Sequence, residues 1–151
     1  YSLDGQRQYN RTYSFTNNTV WGSNMIIRDN SMYVLATAGN DTTKIPHNNT
    51  FGSLGSSDIY LVQYDESTGD FVRGVLFGTP GFDITGEVAW SDVDQTFVVI
   101  ATVFGPFDGN TYQGQVDIII AKFSTTFDLV WSRQYGSSGV ERGISISVDN
   151  D

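Results

Sequence analysis

Gly55-Ser56-Ser57-Asp58-Ile59-Tyr60-Leu61-Val62-Gln63-Tyr64 and Gly114-Gln115-Val116-Asp117-Ile118-Ile119-Ile120-Ala121-Lys122-Phe123 follow one plan. In each, a glycine precedes an aspartate by three residues, and an apolar run then closes on an aromatic ring. The two aspartates are 59 residues apart. A polar turn follows, then a second apolar stretch that ends in aromatic-Gly: Phe71–Gly78 in one case and Leu129–Gly136 in the other. An acid stands five residues beyond each glycine, Asp83 and Glu141. The alternating stretches Val88-Ala89-Trp90 and Ile146-Ser147-Val148 come next.

The front of the chain carries a third, more divergent copy. Tyr1-Ser2 through Tyr13-Ser14 lies over Phe123-Ser124 through Tyr135-Gly136 without a gap, and Ser31–Thr37 matches Thr96–Thr102. The approximate units are 1–57, 58–116 and 117–151, forming one array. Two-residue alternation between turn clusters predicts strands over 58–64, 71–77, 86–91 and 96–103 in the middle copy. Four short antiparallel strands per ~40–50 residues is the layout of a propeller blade. The fold expected is therefore all-β, with about two and a half to three propeller-like blades, each covering the apolar face of the next.

Composition agrees. Val 14, Ile 11, Thr 15, Phe 10 and Tyr 8 stand against Ala 5, Leu 6, Lys 2 and Glu 3, so residues that suit pleated surfaces outnumber strong helix formers. The net charge of −9 leaves no basic face for phosphates, which excludes a generic nucleic-acid partner. No apolar run approaches the ~20 residues of a membrane-spanning helix. Without cysteine there is no disulfide, thiolate nucleophile or cysteine zinc site. The single histidine, His47, sits in a polar loop and cannot build a multi-histidine metal site. No metal and no cofactor are expected.

At these residues the sequence resembles the β-propeller repeats known as SBBP repeats. The third copy carries the resemblance best, through Asp117, Lys122, Phe123, Trp131, Gly136, Ser137, Glu141, Val148 and Asp149. The middle copy departs from it at Gln63, where lysine is usual, and lacks the tryptophan. The first copy has Ser14 where glycine is expected. The resemblance implies a secreted or cell-surface repeat protein, and it implies no reaction.

The strand count predicted is ten, where three closed blades need twelve. Closed propellers have ~4–8 blades. The partners expected are further blades of the same polypeptide, or copies of the chain joined head to tail. Tyr1 is not an initiator methionine, so a processed product or an excerpt is expected.

Four Asn-x-Ser/Thr sequons begin at Asn10, Asn17, Asn40 and Asn48. On exposed turns they point to N-glycosylation and an extracellular or cell-surface location. Asp29-Asn30, Asp92-Val93-Asp94 and Asp149-Asn150-Asp151 read as hairpin turns rather than calcium ligands, because they lack the pattern of a dedicated calcium loop. Asp83 and Glu141 occupy matching places and are expected to do one structural job twice; Glu87 has no visible partner. No catalytic residue is assigned. Phe107 and Tyr112, in the Gly105–Gly114 loop, are the candidate exposed rings for contact with a ligand. The function expected is a non-catalytic extracellular structural or assembly glycoprotein segment: a head-to-tail filament subunit or part of a larger surface protein. The alternative is a carbohydrate-binding propeller module, with glycans as partners.

Overall fold

The computed structural model describes residues 18–40 and 45–150. They form nine strands and no helix: β1 Asn18–Arg28, β2 Ser31–Asn40, β3 Asn49–Gly52, β4 Ser57–Asp65, β5 Phe71–Gly78, β6 Ile84–Ser91, β7 Thr96–Val103, β8 Asp117–Phe123 and β9 Leu129–Tyr135. The first sheet has the order β1-β2-β4-β5-β3 and the second β6-β7-β8-β9. All pairings are antiparallel except β3 with β5.

The four strands predicted in the middle copy appear as β4 to β7, with ends within two residues of those expected. Their grouping is offset from the sequence units. β4 and β5 complete the sheet opened by β1 and β2, while β6 and β7 open the next one. The strand expected before residue 14 lies outside the described residues. The one expected at Ile146–Val148 does not form. Its alternation is correct, but it joins no ladder, and a strand exists only where its backbone groups are paired. Conversely, β3 was not predicted. Four residues are too few to show a period of two, and β3 takes its ladder from β5.

Local chemistry explains the turns. Asp29 and Asn30 link β1 to β2 with φ of 49° and 57°. Two left-handed residues in a two-residue hairpin loop match the right-handed twist of the strands, and Asp and Asn tolerate that conformation.

The main core lies between the sheets. Tyr33, Leu35, Ile59, Leu61, Val75 and Phe77 of the first sheet face Phe97, Val99, Ala101, Ile119, Ala121 and Phe123 of the second. All share odd numbers, because successive side chains leave opposite faces of a strand. Rings interlock across the interface, with Tyr33 and Phe97 centroids 4.6 Å apart and Phe77 and Phe123 4.8 Å apart. A second cluster, Ala38, Ile45, Tyr60, Val62, Tyr64 and Leu76, covers the other face of the first sheet. With both faces covered, β4 is buried almost continuously, whereas β8 alternates buried and half-buried residues.

Phe97 contacts Tyr33, Trp90 and Phe127, so it is the central aromatic of the interface. Truncation to alanine is expected to cost ~3–5 kcal/mol in urea denaturation. Val93→Ala, in the exposed turn after β6, should stay within ~0.5 kcal/mol.

Candidate functional site

Two corners, one in each sheet, gather the buried acids. In the first, Asp58 is the second residue of β4 and β5 ends on Gly78. The chain then turns through Thr79–Asp83 to enter the second sheet. The turn is organised by Asp83. Its Oδ2 accepts the Thr79 backbone N–H, and its Oδ1 accepts the Thr79 hydroxyl at 2.8 Å and the Phe104 N–H at 3.1 Å. The Gly81 N–H donates to Thr79 Oγ1 at 3.2 Å. Ser57 closes the corner, its hydroxyl donating to the Asp83 carbonyl at 2.9 Å.

The second corner repeats the arrangement with Ser137 and Glu141. Glu141 Oε2 accepts the Ser137 N–H at 3.1 Å, Oε1 accepts its hydroxyl, and the Gly139 N–H donates to Ser137 Oγ at 3.1 Å. The Glu141 N–H reaches the Val116 carbonyl at 3.0 Å, as the Asp83 N–H reaches that of Ser57 at 2.9 Å. Matching acids thus carry out matching backbone capping.

The aspartates at the starts of β4 and β8, Asp58 and Asp117, explain the glycines opposite them. A Cβ on Gly78 would lie 2.5 Å from Asp58 Oδ1 and 2.5 Å from Asp83 Oδ2; one on Gly136 would lie 2.0 Å from Asp117 Oδ1. Side chains are excluded there by contact, not by conformation. Asp58 Oδ1 accepts the Gly55 N–H at 3.0 Å, and its buried Oδ2 has no partner among the described residues. Asp117 Oδ2 accepts from Gln113 N–H at 3.0 Å and from Gln134 Nε2 at 2.8 Å, and its Oδ1 is likewise without a partner.

Burial pushes the Asp58 carboxyl up to about 6, and the charge of Asp83 adds to the effect. Burial likewise raises Asp83 to about 6, against the pull of its donors Thr79 and Phe104. Asp58, Asp83 and Asp117 are wholly inaccessible to solvent. These three carboxyls hold the chain in place, out of reach of solvent.

The other sequence-selected residues scatter. Phe107 is not an exposed ring. It is fully buried, with its centroid 6.1 Å from that of Phe77, because the Gly105–Gly114 loop folds inward and plugs one end of the core. Its N–H is held by Gln134 Oε1 at 3.0 Å. Tyr112 is half-buried, and its hydroxyl donates to the Gln115 carbonyl within its own loop. Phe107 therefore offers no stacking platform. Asn48 is exposed; its Oδ1 accepts the Gly74 N–H at 3.0 Å, and the bond does not use the amide nitrogen that a glycan would join. Asn10, Asn17 and the side chain of Asn40 lie outside the described residues. His47 Nδ1 lies 2.6 Å from the Ile45 carbonyl, with no carboxylate or hydroxyl in that bond.

The acidic turns are engaged by the chain's own cations. Arg28 reaches Asp29 and Asp92, each at 2.8 Å, and Lys122 pairs with Asp94 and holds that carboxyl well below the usual range. Glu87 accepts from the Ser145 hydroxyl at 2.5 Å and from the Ile146 N–H at 3.0 Å. A shallow cleft of about 390 Å³ lies outside the second sheet, between Thr85, Thr102 and Phe104 on one side and Arg142 and Ile144 on the other. Among the described residues, no group of three acids, histidines or cysteines is placed to hold a metal ion. No protein-family model matches the chain, and no characterised protein matches it significantly.

Asp58 and Gly78 emerged here as one unit, although the sequence suggested only that each has a counterpart. The signal was the near-equal spacing of the two pairs, 59 and 58 residues. Thr79→Val removes a hydroxyl bonded to a buried carboxyl, and a loss of ~1.5–3 kcal/mol is expected by chemical denaturation. Ser137→Ala, at the solvent-facing corner, should cost only about 0.5 kcal/mol.

Proposed function

We propose that this chain is a non-catalytic structural segment of an extracellular glycoprotein. In this reading its sheets stack as blades of the SBBP-type propeller plan, and it associates with further such sheets of the same polypeptide or of other copies. The observation that carries this is the outer face of the second sheet. Position by position it corresponds to the face of the first sheet that the second one covers: Leu35 to Ile100, Ile59 to Ile118, Leu61 to Ile120 and Phe77 to Tyr135, at spacings of 65, 59, 59 and 58 residues. Phe77 is wholly buried under the neighbouring sheet, whereas Tyr135 is 52% exposed and Trp131 38% exposed.

The segment after β9 begins to cover this face as β6 covers the first. The Thr85 N–H donates to Thr37 Oγ1 at 3.0 Å across the sheets, and the Gly143 N–H donates to Thr102 Oγ1 at 3.0 Å. A stacking surface of this kind serves assembly. Exposed apolar patches on a sheet are association sites. The carbohydrate-binding alternative draws on Phe107 and Tyr112 as exposed rings, and Phe107 is buried in the chain's own core.

The reading makes two checks available. Trp131 and Tyr135 supply much of the exposed aromatic surface on β9. Replacing both with serine should sharply lower binding of a hydrophobic dye and weaken concentration-dependent association in sedimentation velocity, with little change in melting temperature. Unchanged association would count against stacking through this face. Secreted material should lose mass on endoglycosidase treatment, and Asn48→Gln should remove one glycan. An unaltered mass in native protein removes the glycoprotein part of the reading.

A further inference from the structure

The geometry points to a second property, independent of assembly: Asp58 and Asp83 hold one proton between them, and this proton locks the joint where the chain leaves the first sheet for the second. The two side chains converge from different parts of the chain on the space over Gly78. Oδ1 of one and Oδ2 of the other lie equally close to the same point, so they are at most twice 2.5 Å apart. Neither is exposed. Two ionised carboxylates so close in a solvent-excluded site repel each other and lose their hydration together, and binding a proton relieves both penalties.

The surroundings divide the roles. Asp83 accepts three donors, two from Thr79 and one from Phe104, so it is the better seat for the negative charge. Asp58 accepts only the Gly55 N–H, and its Oδ2 is buried without a partner among the described residues. Asp58 is therefore the better seat for the proton. The other titratable groups on the packed elements do not neutralise the pair. Tyr112, from the 104–116 loop, senses the charges of Asp117 and Asp83, and it is a neutral phenol. Asp117, at the head of β8, is itself an acid. The ion pairs of Arg28 with Asp29 and Asp92, and of Lys122 with Asp94, involve neither acid.

The sign of the pH dependence follows. Burial raises both pKa values from 3.8 to about 6 in the folded state. The folded chain therefore binds protons that the unfolded chain has already released. The stabilisation is full below the unfolded value and is lost as pH rises through the folded one. Asp65, Asp92 and Asp94, whose pKa values are lowered by the groups that hydrogen-bond to them, act in the opposite direction and weaken the fold only at more acidic pH. The joint is tightest in mildly acidic solution.

The test is thermal denaturation of the full chain between about pH 5 and about pH 8, in chelator and in millimolar calcium. The wild-type melting temperature should fall across this range in both media. Asp58→Asn should melt higher than wild type at the alkaline end and show a flatter profile. Should that variant fail to fold, infrared difference spectra of the wild type supply the readout: the carbonyl stretch of a protonated carboxyl should persist above the ordinary carboxylate range and vanish as the melting temperature drops. A flat wild-type profile, an Asp58→Asn profile as steep as wild type, or absence of that stretch overturns the proposal. So does calcium raising the wild-type melting temperature at about pH 8, because the pair would then hold a cation and not a proton. None of these outcomes bears on stacking through Trp131 and Tyr135.

Discussion

A β-sheet with apolar side chains on both faces has to be covered on both, and each sheet of this chain is built that way. Odd-numbered residues of β7 and β8 point into the interface, while Val98, Ile100, Ile118 and Ile120 point away from it. The first sheet meets the requirement with the second sheet on one side and Ile45, Leu54 and their neighbours on the other. This constraint explains why Asp58–Tyr64 reads as a near-continuous apolar run. It also explains why the equivalent β8, covered fully on one face only, alternates in burial although its sequence is just as apolar.

Strand existence was legible because it depends on local facts. Alternation and turn residues placed β4 to β7 nearly to the residue, and Asp29-Asn30 announced a tight hairpin that only left-handed residues can make. The grouping of strands into sheets was not legible. A pattern that recurs at regular spacing looks the same from any starting strand, so the sequence units cut each sheet in half. β3 was hidden for another reason: its partner β5 lies more than twenty residues away, and nothing local marks a parallel edge. Phe107 misled because a ring among Gly, Pro, Asp and Asn looks like surface. Its burial is decided by where the loop closes on the core, a tertiary fact. The corners were half legible. The matching positions of Asp83 and Glu141 were visible, but their union with Asp58 and Asp117 across a glycine needed the fold.

The corners show why a structural acid can look catalytic. Where the chain passes from one sheet to the next, the N–H groups of Thr79 and Phe104 have no ladder partner, and a buried unpaired donor is costly. A carboxylate answers several donors at once. At the second corner the longer Glu141 caps Ser137 from a partly exposed position. At the first, the shorter Asp83 does the same work in full burial beside Asp58. The same hydrogen-bonding task is thus done in surroundings of different burial. The two sheets also differ beside their opening aspartates: Gln134 gives Asp117 an amide donor, while the residue at the matching spacing in the first sheet is Leu76.

Apolar faces supply adhesion without direction, and a stack held only by them could slide. Directional contacts sit at both ends of this interface. At one end Ser57 meets Asp83 and Thr37 meets Thr85. At the other, Arg28 lies 4.2 Å over the Trp90 ring while bonding Asp92 in the turn between β6 and β7. Together they fix which odd-numbered residue faces which. On the outer side of the second sheet the first of these pins is already in use, with Val116 accepting from Glu141 and Thr102 from Gly143. A sheet arriving on that face would therefore meet more than an oily surface. It would meet a face whose register has been set at one end by the chain's own residues 139–143, so that adhesion by Ile100, Ile118, Ile120 and Tyr135 could operate in a single alignment.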